Sequence, residues 1–191
     1  MRIKDEQKIA KVKQACVDLT FELGVEGISA GKLAKRSNVS ASNIYIYFKN
    51  MHDMLQVINK EITWNYFNSI SKVLATEKTV EENFFALWDA AYQYCTRHPK
   101  EFMFTTRMVH SCIVDHTDES HLEPCQETLP KFLEKGIQKK QIKKVSVRSF
   151  IHIAFTPFYG MLKASIENGV MSLDEETKAL LRTAAWDAIR L

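Results

Sequence analysis

Between Ser29 and Leu55 the chain reads SAGKLAKRSNVSASNIYIYFKNMHDML, and this stretch leaves little freedom in how it folds. Its apolar positions come in short helical groups separated by polar residues suited to caps and turns. Ser29 can cap a helix reaching about Ser37, because its side-chain oxygen accepts an N–H that the first turn leaves unpaired. Leu33 and Ala34 face inward on that helix. Asn38 tolerates the left-handed backbone that ends it, and Val39 anchors the turn. Ser40 then caps a third helix through about Phe48, and Asn50 or Met51 opens a longer one. A short helix, a tight turn and a second short helix form a unit that can set side chains in the major groove of duplex DNA.

The rest of the chain carries a helical period throughout. Ile9, Val12, Cys16, Leu19 and Leu23 make one face of a first helix, stopped by Gly24 and Gly27. Met54, Ile58, Ile62, Tyr66, Ile70 and Leu74 recur every fourth residue, a stripe that drifts slowly around one long helix. No linker separates the head from the remainder of the chain; that helix carries it. Val80 to Tyr94 reads as a helix with Phe84, Leu87, Trp88 and Ala91 on one side. His98-Pro99 breaks it, since a residue before proline is disfavoured in the helical region. Further helices are expected over Glu101 to Val114, Glu127 to Lys139, Val147 to Asn168, and Ser172 or Leu173 to Ile189. The polar run from Asp115 to Pro124 reads as a loop. Pro157 removes a backbone donor inside the penultimate helix, so a kink is expected there. With no β-like alternation and no repeats, the spacing predicts an all-α protein of about nine helices. A three-helix helix–turn–helix domain (1–50) joins through a long fourth helix to a larger helical domain (51–191).

Composition excludes several classes. Of 191 residues, 46% are hydrophobic and 26% charged, which is ordinary for a globular chain and unlike a disordered one. The net charge of +3 is unevenly placed. Residues 1–60 hold ten Lys or Arg against six Asp or Glu, whereas 61–191 hold sixteen against seventeen. Within 27–60 only Asp53 opposes Lys32, Lys35, Arg36, Lys49 and Lys60. Such a patch can steer association with polyanions, and a solvated surface explains it equally well. The opening MRIKDEQKIAKVKQ is too charged for an apolar targeting segment, and no run approaches the roughly 18 apolar residues of a membrane span. A cytoplasmic protein without a membrane partner is expected. Cys16, Cys95, Cys112 and Cys125 form no CxxC pair, which fits reduced thiols.

Enzyme signatures are missing: the chain has no G-x-S-x-G, H-E-x-x-H, Walker or dinucleotide motif, and Glu101 and Glu134 have no identifiable partner. His110, Cys112, His116, His121 and Cys125 have ligand chemistry, but their spacing matches no zinc pattern. No metal, cofactor or catalytic residue is therefore expected. Two readings stay open: a DNA-binding regulator, or a helical small-molecule-binding or adaptor protein without specific DNA binding.

Residues 9–58 resemble the N-terminal domain of the tetracycline-repressor (TetR/AcrR) family of bacterial transcription regulators. The resemblance rests on Ile28-Ser29, on Leu33 through Ser40, and on Asn43 through Asn50 to Leu55. Asn38 stands where the family usually has glycine, and Tyr47 where it has histidine. Ser42 lies near a commonly small position, and Met51 replaces a lysine that often opens the fourth helix. Chemistry divides the residues of the head. Ile44 and Phe48, four apart, face its interior. Ala41, Ser42, Asn43 and Ile46 face outward, where Asn43 can bond an adenine edge and Ala41 or Ile46 can touch a thymine methyl. Ser29, Ser40, Tyr45, Tyr47 and Lys49 suit phosphate contacts, which fix register.

For the remainder, the resemblance implies a homodimer on a palindromic operator, released by an effector bound among the middle helices. Aromatic walls with few polar tips suit a small hydrophobic or aromatic molecule. Trp88, Tyr92, Phe104, Met108, His110, Phe155 and Tyr159 are the candidate lining, with Arg107 available to an acidic group. The family's last two helices pair across the two-fold axis, which here nominates Phe158, Ile166, Leu173, Leu181, Ala184 and Ala188. A ligand-responsive repressor is the expected function.

Overall fold

The computed structural model describes residues 2–109 and 127–191, and every regular element among them is an α-helix. In chain order these are α1 (Arg2–Leu23), α2 (Ala30–Ser37), α3 (Ala41–Tyr47), α4 (Met51–Ser71) and α5 (Val80–Arg97). They continue with α6 (Pro99–Val109), α7 (Thr128–Gln138), α8 (Val147–Glu167) and α9 (Glu175–Ile189). The loop expected at Asp115 to Pro124 lies outside the described residues. Two compact units emerge. One holds α1–α3, α4 as far as Thr63, and α6 from Lys100; the other holds Trp64–Pro99 and residues 127–191.

Local chemistry sets most helix ends. Ser29 and Ser40 each accept the backbone N–H three residues on, at 3.3 and 3.4 Å. Asn38 takes the left-handed conformation (φ 55°, ψ 37°) between α2 and α3, where a β-branched residue would be strained. Gly24 does the same after α1 at φ 77°. A capping box at Thr79 and Glu82 starts α5, and Pro99 ends it after Arg97.

Two boundaries differ from the sequence reading. Helix α4 stops at Ser71, short of Leu74, because the buried Asn83 side chain holds both the N–H and the C=O of Ala75 in a turn (2.9 and 2.8 Å). Helix α9 starts at Glu175 rather than at Ser172 or Leu173. The Asp174 carboxylate caps it, accepting from Thr177 N at 2.8 Å, and Glu175 and Glu176 favour the positive end of the helix dipole.

The first unit closes around Val12, Cys16, Leu33, Ile44, Phe48, Met54, Ile58, Phe104 and Met108, all buried. Burial pushes the Cys16 thiol up to about 12, so it is a packing group rather than a nucleophile. In the second unit α5 packs against α7, α8 and α9, and α8 lies against α9. Its core is aromatic: Phe84, Trp88, Phe150, Phe155 and Phe158 are at most 1% exposed. They form a chain of edge-on rings, Phe84–Phe150–Phe155–Phe158–Trp88, with centroids 5.1 to 6.2 Å apart. At the chain's end Lys143 N donates to Ile189 O (2.8 Å) and Leu191 N to Gln141 O (3.1 Å). Ile142 is buried over Gly136, where a Cβ would lie 2.5 Å from its Cδ1. Among the described residues, no helix is long and apolar enough to cross a membrane.

Candidate functional site

The three short elements of the first unit divide their residues cleanly. Ile44 and Phe48 of the α3 segment are 2% and 4% exposed and pack with Leu33 and Val39, fixing the second short helix against the first. The opposite side of α3 is open. Ile46 is 71% exposed and Tyr45 47%; Ser42 is exposed, and Ala41 and Asn43 are half-buried. Large apolar side chains left in water this way mark a contact surface when they sit together on a rigid helix. Ser29 and Ser40 are exposed at helix N-termini, where unpaired amides favour an anion.

Other candidates in this unit are already engaged. The Tyr47 hydroxyl donates to the Asp5 carboxylate at 2.9 Å, and that bond raises its pKa above the ordinary phenol value. Arg36 forms a two-pronged pair with Glu22 of α1 (2.9 and 2.7 Å), and Lys32 Nζ donates to Gly27 O at 2.7 Å. Counting charges within 27–60 missed Glu22, which lies outside that window and reaches Arg36 only through the fold. Lys35 and Lys49 remain exposed. Asp53 N–H donates to the Asn50 side-chain oxygen (2.8 Å) and Lys49 N–H to the Asp53 carboxylate (2.9 Å), which holds Lys49 at the entrance to α4.

The eight residues nominated as one effector lining do not form a single set within either unit. Trp88, Tyr92, Phe155 and Tyr159 belong to the second. Trp88 stacks flat on Tyr92 (centroids 5.7 Å, 6° between planes), and Tyr159 meets both Phe155 and Phe158. The Tyr159 and Tyr66 hydroxyls lie 2.5 Å apart. Burial raises the Tyr159 pKa well above the phenol value, aided by the nearby Cys95 thiol, while the bond with Tyr66 pulls it back. By contrast, Phe104 and Met108 are fully buried in the core of the first unit. Arg107 donates to the backbone oxygens of Thr20 and Phe21 (3.0 Å to the latter), capping the C-terminal end of α1 with a positive charge. Apolar periodicity marks a face as buried without saying in which core, and these three residues belong to the first unit. His110 and the Cys112–Cys125 group lie outside the described residues.

Of the residues expected at a pairing face, Phe158, Ile166 and Leu173 are 0%, 4% and 9% exposed in the single chain. Leu181 is half-buried, and Ala184 and Ala188 are exposed. Ile153 and Met161 on α8 and Leu180 on α9 are apolar yet 37%, 45% and 67% exposed. On α9 the positions 180, 184 and 188 repeat every four residues along one face. An α5–α9 clasp with no sequence signal lies nearby. Arg182 forks onto Asp89 at 2.7 and 2.9 Å, with its guanidinium 3.9 Å from the Phe85 ring centroid.

A helix–turn–helix unit carried on a long helix, with a separate aromatic helical body, defines the class of helix–turn–helix transcription regulators. The pattern of the tetracyclin repressor-like C-terminal domain matches residues 59–191, and the chain belongs to that family. Its members are regulators, not enzymes. A stretch of 76 residues is 28% identical to an uncharacterized HTH-type transcriptional regulator of Haemophilus influenzae, covering 40% of this chain and 41% of that protein. The fold is shared with a TetR family regulator from Marinobacter aquaeolei (TM-score 0.82, 22% identity, 100% of this chain and 99% of that one). It is shared too with the transcriptional regulator FadR from Bacillus subtilis, solved with stearoyl-CoA (TM-score 0.72, 20% identity, 92% and 95%).

Proposed function

We propose that the protein is a ligand-responsive transcriptional repressor that binds a palindromic operator as a homodimer. Residues 1–50 form its DNA-binding head and 51–191 its effector-binding and dimerisation body. The observation that carries this reading is the exposed face of α3, where Ile46 and Tyr45 stand in water beside Asn43 on a helix whose other side is locked into the core. Asn43, Ala41, Ser42 and Ile46 read base edges. Ser29, Ser40, Tyr45 and Lys49 hold phosphates, and Tyr47 joins them if its bond to Asp5 is exchanged. One head covers few bases, so two related by a dyad supply the length of a specific site.

The effector is a small hydrophobic or aromatic molecule that occupies the aromatic second unit beside Trp88, Tyr92, Phe155 and Tyr159. Its binding favours a state in which the two heads no longer match the half-site spacing. The ligand must prefer that state, since equal affinity for both would shift nothing. A coupling of about 1–3 kcal/mol changes operator affinity roughly five- to 150-fold. The partner surface is built from the exposed Ile153, Met161, Leu180, Ala184 and Ala188 with Leu181.

Selection from randomised duplexes followed by gel shift tests the DNA claim. A single two-fold symmetric sequence should emerge. Lys49→Ala should weaken every duplex alike and lower the salt slope by about one, while Asn43→Ala should chiefly relax base preference at one position per half-site. If no sequence is enriched over the starting pool, specific DNA recognition is wrong.

A further inference from the structure

The indole of Trp88 is wholly buried, and its Nε1–H has no hydrogen-bond partner among the described residues. A buried donor left unpaired costs about 1–3 kcal/mol, and folded proteins tolerate few of them. The ring is held from two sides, flat against Tyr92 and edge-on to Phe158 at 5.1 Å. The Tyr92 hydroxyl is itself engaged, accepting from Leu173 N at 2.8 Å. A buried water needs two to four polar partners to be stable, and this donor supplies one of them. An organic acceptor atom needs only that one, because the apolar remainder of the molecule fits the rings.

Charge narrows the class further. Two cations of α9 lie beside this aromatic group, and each already has a carboxylate. Arg182 is forked onto Asp89, and Lys178, 5.4 Å from the Tyr92 ring centroid, pairs with Glu175 at 3.2 Å. An anion buried against Trp88 would find both of these cations already paired, and an uncompensated buried charge costs far more than an unpaired donor. Resting on the reading that the second unit binds the effector, we infer that the effector is an uncharged aromatic or hydrophobic molecule whose carbonyl-type oxygen accepts the Trp88 Nε1–H.

The chain has three tryptophans, Trp64, Trp88 and Trp186, so the isotope-labelled protein gives three indole N–H signals, and Trp88→Phe identifies one of them. Three probes of matched size separate the chemistry: acetylnaphthalene with a neutral acceptor, ethylnaphthalene with none, and naphthoate with a charge. The acetyl probe should move the Trp88 signal downfield and bind about 10-fold more tightly than either of the others, the worth of one hydrogen bond. Trp88→Phe should abolish that preference, bringing acetylnaphthalene down to the affinity of ethylnaphthalene for the same variant. The wild-type signal stands as an independent readout should the variant fold poorly. Equal binding of the acetyl and ethyl probes, tighter binding of naphthoate, or an unmoved Trp88 signal with all three overturns the inference. Release of a selected operator by naphthoate with the Trp88 signal unmoved would overturn it too, yet leave effector control standing.

Discussion

Ala184→Glu should leave each chain folded and convert the dimer to monomers, with operator affinity falling toward the non-specific level, about 10³-fold or more. Ala184 is exposed on α9, so the new carboxylate is solvated in the single chain and costs the fold little. Across a two-fold axis the same residue meets its own surroundings, so two carboxylates enter an apolar contact together. Half-sites are then bound one at a time, and the gain from tethering two heads is lost. Sedimentation velocity at micromolar concentration reads the first effect and gel shift the second. A variant that remains dimeric with full operator affinity would remove α9 from the interface. The equivalent change at Phe158 is not diagnostic: that side chain is fully buried, and its loss would unfold the unit whatever the assembly.

Phe104→Ala should destabilise the first unit, whose core holds α3 in place, by about 3–5 kcal/mol, the usual cost of removing a buried phenylalanine. Phe104 is 0% exposed among Leu33, Ile44, Phe48 and Met54, so the cavity would open within the core that fixes α3. Operator binding at 37 °C should be lost, because stability of this size is a large part of a domain's total. Hydrogen exchange should show α1–α3 amides losing protection while those of α8 and α9 keep theirs. Were Phe104 instead an effector contact, the variant would bind operator normally and fail only in induction. That result would support its reading as a pocket residue.

Features encoded within a few residues could be read directly from the chain. Caps at Ser29 and Ser40, the left-handed Asn38 and the inward pair Ile44 and Phe48 depend on neighbours three or four positions away, so α2, the turn and α3 stand where their spacing put them. The α4 stripe was equally plain from Met54 to Ile70, and failed at Leu74 because Asn83, nine residues on, holds the chain in a turn. Tertiary assignments were harder. Phe104 and Met108 carry the same apolar signal as Trp88 and Phe155, and only the fold sends them to a different core. Arg107 donates to carbonyls at the end of α1, 86 and 87 residues earlier, a contact that local spacing does not reveal. Glu22 neutralises Arg36 across 14 residues, so a basic patch counted along the chain is smaller on the surface.

The most direct measurement compares dissociation constants for a selected palindromic duplex and for a scrambled duplex of the same composition, both at physiological salt. Recognition through α3 should give a ratio of about 10³ or more, with one dimer per palindrome and most of the preference lost when a single half-site is scrambled. Equal affinity for the two duplexes, with the same steep salt dependence, would reduce the head to a non-specific polyanion contact and contradict sequence-specific regulation.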